Sequence, residues 1–259
     1  MTDNILMKRD GAIATVTINN PDRLNAISMA MWARIGEVMT ALSAEDDLRC
    51  IVVRGAGGKA FAAGADISNF ETERGTPEQA AKYHATINLA MEATLECRHP
   101  VVALIEGVCV GGGLEFAAAC DIRICGEGSR FGVPIKWLGL TMNYGELKCL
   151  LDLVGPAVAR EILLEGDVFG AQRAKEMGLV NRVVADGAVE EEAYAAAGRI
   201  AEGAPLAARW NKKFVRRLLD PRPLTPEEDA ESYAAMDTED YKIGVEAFLA
   251  KRRPKFKGR

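Results

Sequence analysis

The sequence holds only two histidines, His84 and His99, in 259 residues. Its cysteines, Cys50, Cys97, Cys109, Cys120, Cys125 and Cys149, form no CxxC pair. Both shortages argue against a zinc or other metal site, which needs His and Cys at ligand spacing. Cysteines scattered among apolar residues are expected to be buried, reduced thiols of a cytoplasmic protein. The first ten residues, MTDNILMKRD, lack the apolar stretch of a secretory leader. The best candidate for a membrane span, Val101 to Cys120, carries Glu106, Glu115 and four glycines, so no membrane partner is expected. Positive charge is short as well. The net charge is −5 and no basic stripe with interleaved aromatics occurs, so no nucleic-acid partner is expected. The basic tail KRRPKFKGR reads as a solvated or partner-contacting end. No serine sits in a GxSxG elbow, and the glycines form neither a phosphate loop nor a dinucleotide fingerprint.

What is present is the balance of a globular chain, 49% apolar and 27% charged, long enough for one large domain or two small ones. Ala12 to Ile18 is a β-branched run that ends at the turn Asn19-Asn20-Pro21-Asp22. From Ser28, apolar residues at Met31, Ile35, Val38, Met39 and Leu42 follow a helical period. Cys50 to Val53 and Val101 to Ile105 read as strands, and Asp121 to Cys125 as a third of the same kind. Thr76-Pro77-Glu78 opens a helix expected to reach about Glu96, and Gly111-Gly112-Gly113 opens another over Leu114 to Ala119. Short strands alternating with helices predict an α/β fold with parallel pairing. Glu190 to Ala201 and the segment capped by Thr225-Pro226-Glu227-Glu228 predict a helical end, packed on a neighbour or back on the core.

Two glycine-bearing segments draw the chemistry together. They are Phe61-Ala62-Ala63-Gly64-Ala65-Asp66-Ile67 and Gly107-Val108-Cys109-Val110-Gly111-Gly112-Gly113-Leu114-Glu115. Small residues let a ligand approach the backbone, and a helix beginning at the triple glycine aims free N–H groups at whatever lies before it. Two such N–H groups from separate segments make an oxyanion hole of the kind a thioester carbonyl uses. Glu115 is the one charge in the apolar run from Leu114 to Cys120. Burial of a carboxylate calls for a partner or a purpose. It is either a structural carboxylate tied to nearby backbone or a proton-handling group. Burial would raise its pKa and the helix terminus would lower it.

These segments, GKAFAAGADI and GVCVGGGLEFAAACDIRI, resemble the signature of the crotonase superfamily, the enoyl-CoA hydratase/isomerase family. Supporting resemblances run along nearly the whole chain, at Pro21 to Ala26, Phe131 to Pro134, Gly170 to Ala174, Gly178 to Val180 and Ala247 to Arg252. The resemblance implies a spiral of ββα turns with a C-terminal helical region, assembled as a homotrimer or a dimer of trimers. It implies a spiral core over residues 1–195 with the CoA site, and residues 196–259 as a helical region of the same unit for trimerisation and CoA closure. It implies oxyanion donors at Ala65 and Gly112, an acyl-CoA substrate, and no permanently bound cofactor beyond the coenzyme A of that substrate. Arg23, Ala26, Ala63, Ala65, Asp66, Ile67 and Gly112 are implied along the CoA, with Phe248 and Lys251 reaching a CoA bound largely by an adjacent subunit. Glu115 matches a glutamate that activates water in the hydratases.

One departure stands out. Hydratases of the family carry a second glutamate where this chain has Ile135, beside Lys136 and Trp137. An isoleucine moves no proton, so the two-carboxylate arrangement is broken at that position. The nearby Asn143-Tyr144-Gly145-Glu146 offers replacements. Asn143 can orient a water or substrate oxygen. Glu146 is either a relocated acid/base or a first-turn glutamate favoured by the helix dipole. His84 and His99 are expected at surface or helix-end positions, and Trp137 in the core or beside an acyl pocket. Hydration and double-bond isomerisation, decarboxylation or hydrolysis on the same scaffold, and non-catalytic acyl-CoA binding all remain open at this stage.

Overall fold

A computed structural model describes residues 4–66 and 70–259. Its strands in chain order are β1 (Ile5–Asp10), β2 (Ile13–Ile18), β3 (Cys50–Gly55), β4 (Ala60–Ala62), β5 (Val101–Ile105), β6 (Val108–Val110), β7 (Ile122–Gly126), β8 (Arg130–Gly132), β9 (Phe169–Gly170) and β10 (Arg182–Val184). The helices are α1 (Met29–Ala44), α2 (Phe70–Glu73), α3 (Pro77–Glu96), α4 (Gly112–Ala119), α5 (Tyr144–Glu165), α6 (Ala171–Glu176), α7 (Val189–Ala201), α8 (Pro205–Arg217), α9 (Pro226–Glu231) and α10 (Glu239–Leu249).

Among the described residues the strands form a larger sheet, ordered β1-β2-β3-β5-β7-β10, and a smaller one, ordered β4-β6-β8-β9. Every pairing in the larger sheet is parallel except the β1–β2 hairpin. Three successive strand pairs, β3–β4, β5–β6 and β7–β8, place their first member in the larger sheet and their second in the smaller, each followed by a helix. This is the spiral of ββα turns that the resemblance implied. The central strands are buried along their length, as parallel strands covered on both faces must be. Ile51, Val53, Val101, Ala103 and Ile105 face α1, α3 and α4, while Cys50, Val52, Val102 and Leu104 face α7. The split follows the two-residue alternation of a strand.

The expected strands and helices appear close to their predicted bounds. Ser28 caps α1 through the Met31 N–H, and Thr76 with Gln79 forms a reciprocal capping box on α3. The hairpin strand β1 was not expected. Its turn signal is Asp10-Gly11, with Gly11 in the left-handed region at φ +55°. The C-terminal helices pack back on the core, through Lys212 to Asp121 at 2.8 Å and Arg216 to Glu96 at 2.5 Å. The basic tail is not a free end. Buried Asp240 accepts the N–H groups of Lys257 (2.6 Å) and Gly258 (2.9 Å), and Arg49 donates to the Phe256 carbonyl at 2.6 Å. Residue 195, the division implied by the resemblance, falls inside the continuous helix α7.

Candidate active site

The loop after β4 is laced to the turn after β2. Ala63 N–H donates to the Leu24 carbonyl (2.9 Å), Ile27 N–H to Gly64 (2.8 Å) and Asp66 N–H to Ile27 (3.2 Å). The bonds on either side of Ala65 form a parallel bridge with Ile27. They turn the N–H of Ala65 itself to the opposite side. Arg23 straps the two segments from outside, with Nη1 2.9 Å from both oxygens of Asp66. Ala26 is buried in the same turn, its carbonyl held by Asn20 Nδ2 at 2.9 Å. Ile67 lies outside the described residues.

The opposite side of Ala65 is the start of α4. Gly64, at φ +98°, lies so close that a Cβ there would stand 3.6 Å from the Gly112 nitrogen. Gly113 has no room for a side chain either, since its Cβ would stand 2.2 Å from the Ala62 carbonyl oxygen. Gly112 is the first residue of α4, so its N–H has no acceptor within the helix. A Cβ on Gly112 would stand 3.8 Å from the Ala65 nitrogen, 3.8 Å from Glu115 Oε2 and 3.4 Å from Trp32. The Gly112 and Ala65 backbone, the Glu115 carboxyl group and the Trp32 indole therefore meet around one point. Trp32 and Phe116 meet edge to face at 5.6 Å and bed α4 against the core.

Glu115 is 7% exposed in a helix otherwise buried from Gly113 to Ala119. Among the described residues its carboxyl accepts no hydrogen bond. Burial pushes its pKa up to about 8, with the charge of Glu146 adding to the rise and Arg74 opposing it.

Glu146 arrives from α5. Asn143 caps that helix, its Oδ1 accepting the N–H groups of Gly145 (2.8 Å) and Glu146 (3.2 Å). A glutamate at the third helical position ordinarily reaches back to the cap. Here Glu146 Oε1 instead meets His84 Nδ1 at 3.0 Å, and Glu146 is 3% exposed. Gly145 makes this possible, because a Cβ on it would strike Asn88 Oδ1 of α3 at 2.4 Å. Arg74 completes the group, with Nη2 3.4 Å from His84 Nε2 and its guanidinium over the Tyr83 ring at 4.1 Å. Glu146 is thus both the first-turn glutamate and a buried neighbour of Glu115. His84 is no surface residue, as sequence reasoning had it, but half-buried between Asn143, Glu146 and Arg74.

Other expected residues stand elsewhere. Ile135 packs on the core from the turn Pro134–Leu138. Trp137 is neither core nor enclosed; it is largely exposed beneath Lys136, whose Nζ lies 4.6 Å from the ring centroid. Phe248, 83% exposed, lines an apolar groove of about 400 Å³ between the C-terminal helices, together with Trp210, Tyr241 and Phe256. None of the loop residues 63–66, Gly112 or Glu115 lines that groove. Lys251 follows α10 in the left-handed region at φ 49°. Among the described residues no cluster of His, Cys, Asp and Glu is suited to a metal ion, and no helix is long and apolar enough to cross a membrane.

Comparison with known proteins identifies the family. A family model described as enoyl-CoA hydratase/isomerase matches residues 8–259. The crotonyl-CoA hydratase of Syntrophomonas wolfei is 32% identical over 257 residues, covering 98% of each chain. The short-chain-enoyl-CoA hydratase of Clostridium acetobutylicum is 33% identical over 97% of this chain and 96% of its own. Among solved structures, an enoyl-CoA hydratase/carnithine racemase from Magnetospirillum magneticum superposes with a TM-score of 0.98 at 47% identity, covering 100% of this chain and 97% of that one. The chain belongs to the enoyl-CoA hydratase/isomerase (crotonase) family of acyl-CoA thioester enzymes.

Proposed function

We propose that the protein adds water across the double bond of a 2-enoyl-CoA thioester, with Glu115 and Glu146 as its two carboxyl groups. The observation that carries this is the buried Glu146, whose charge acts on Glu115, the carboxyl group beside Gly112. It supplies the second carboxylate that Ile135 cannot. The thioester oxygen accepts from the Ala65 and Gly112 N–H groups. Glu146, as carboxylate, removes a proton from water as its oxygen bonds to C3. The π electrons of the double bond move into the thioester enolate, whose negative charge rests against the two N–H groups. Glu115, which burial keeps protonated near neutral pH, delivers its proton to C2. A proton transfer from Glu146 to Glu115 restores the starting state.

Coenzyme A enters only as part of the substrate, along Arg23, Ala26 and residues 63–66. Relatives named as hydratases of crotonyl-CoA and short-chain enoyl-CoA support a short acyl group. The exposed Leu218, Met236, Phe248 and Leu249 of the C-terminal region support assembly into trimers, and the buried free cysteines support a reducing, cytoplasmic setting.

The test is turnover of purified protein with crotonyl-CoA and a panel of longer 2-enoyl and 3-enoyl thioesters, beside Glu115→Gln and Glu146→Gln. Hydration of the 2-enoyl thioester is expected, with each variant losing about 10²- to 10⁴-fold in kcat. Unchanged turnover in Glu146→Gln removes it from the mechanism. Conversion of 3-enoyl thioesters without water uptake replaces hydration by isomerisation.

A further inference from the structure

We infer that Arg74 and His84 are positioning residues for Glu146, and that Arg74 fixes His84 as the neutral tautomer with its proton on Nδ1. The inference rests on Glu146 being the second carboxyl group.

The geometry poses a conflict that only the tautomer resolves. Nδ1 of His84 faces Glu146 Oε1 at 3.0 Å and Asn143 Nδ2 at 2.7 Å. The carboxylate needs a donor there, whereas the amide nitrogen needs an acceptor. Asn143 cannot turn its oxygen inward, because that oxygen already caps α5 through two backbone N–H groups. A neutral ring therefore serves one neighbour at a time.

Nε2 decides the matter. Its neighbour is Arg74 Nη2 at 3.4 Å, and a guanidinium only donates. Stacking over Tyr83 at 4.1 Å and Phe70 at 4.8 Å holds that guanidinium in place. With the proton on Nδ1, the ring faces the Asn143 amide donor to donor at 2.7 Å, but it accepts from Arg74 and donates to Glu146, two hydrogen bonds to ionised partners. With the proton on Nε2, it faces the guanidinium donor to donor, leaves Glu146 unserved, and gains only the neutral Asn143 contact. Charge-assisted bonds are about twice as strong as neutral ones, so the first arrangement prevails. Arg74, His84 and Glu146 then form a directed chain. It holds one oxygen of Glu146 and leaves the other for water.

The protein is well suited to a direct test, since it has only two histidines. A two-bond proton–nitrogen correlation spectrum of the whole protein, with His84→Asn to assign the signals, reports the tautomer of each ring. His84 is expected as the Nδ1–H form at neutral pH, with a shift toward Nε2–H in Arg74→Leu. An Nε2–H or doubly protonated His84 in the parent overturns the inference, whatever the enzyme turns over. Kinetics supply the second arm. His84→Leu is expected to lose about 10- to 100-fold in kcat on crotonyl-CoA, with KM changed by less than about threefold. His84→Asn, whose amide nitrogen falls where Nδ1 stood, is expected to recover most of the loss. Equal impairment in the two variants, or full activity in His84→Leu, overturns the positioning role. Loss of turnover in Glu146→Gln beside an unaffected His84→Leu would leave the carboxylate pair standing and remove only this inference.

Discussion

The two histidines sit in polar pockets at either end of the same stretch of chain, and the pockets have opposite characters. His84 is half-buried on α3 and meets a carboxylate, an amide and a guanidinium. His99, just past α3, is fully buried, with neither ring nitrogen hydrogen-bonded among the described residues. Burial pushes its pKa down to about 4, aided by the positive charges of Arg209, Arg98 and Lys212. Buried polarity is therefore no mark of a site by itself. The His84 pocket differs in holding Glu146, whose charge helps to raise the pKa of Glu115 beside Gly112.

After the two glutamate variants, the largest expected effect comes from closing the geometry that brings Glu146 to His84. Gly145→Ala places a methyl group against Asn88 Oδ1, so the first turn of α5 must move away from α3. Turnover is expected to fall by about 10²-fold, because a displacement near 1 Å is enough for that. His99→Phe is expected to leave kcat unchanged. Comparable losses in both variants would erase the distinction between the pockets.

Stability against pH separates them by sign. Glu115 binds its proton more tightly folded than unfolded, because its pKa rises from 4.5 to about 8. Between those values the native state holds more protons than the unfolded chain, so this group lowers stability as pH rises through the window. Glu115→Gln removes the penalty. It is expected to be more stable than the parent at pH 8 by a few kcal/mol, at about 1.4 kcal/mol for each pH unit, while losing turnover. His99 behaves oppositely. Its pKa is lowered from 6.5 to about 4, so the unfolded chain holds more protons in that window and stability is lost as pH falls through it. His99→Phe is expected to flatten that acid limb. Denaturant titrations of parent and variants at pH 5, 7 and 8.5 check both signs. Parallel curves for Glu115→Gln and the parent would mean that Glu115 titrates as an ordinary glutamate.

How much of this was legible from the residues alone differs by part. The close approach of residues 64–65 to the start of α4 was legible because glycines and a lone glutamate in an apolar run mark the backbone directly. The central strands were legible because parallel strands read as continuous apolar runs. Strand β1 was missed because only Ile5 in it is buried, leaving no alternation to see. His84 was missed for a different reason. Its partners Glu146 and Asn143 lie about sixty residues away, and nothing local to α3 announces them. A faint signal existed in His84 and Asn88, a polar pair four apart flanking the buried stripe of Tyr83, Ile87 and Met91. Periodicity assigns a helix its buried face, but it cannot say which neighbour covers the flank.

The smallest expected effect sharpens the comparison from outside both pockets. Arg23 binds Asp66 through both carboxylate oxygens, but its side chain is 55% exposed. An exposed pair of this kind contributes about 0–1 kcal/mol. The loop it straps is already held by the Ala63, Ile27 and Asp66 backbone bonds. Arg23→Ala is therefore expected to shift the melting temperature little and to leave kcat within about twofold of the parent. If the guanidinium also meets the CoA, the loss falls on KM, which is read from crotonyl-CoA saturation curves at low and high salt. A salt-sensitive rise in KM places Arg23 on the substrate, because screening weakens an exposed charge contact. A fall in kcat with unchanged KM would instead mean that the strap orients Ala65, and that the backbone bonds alone do not hold its N–H toward Gly112.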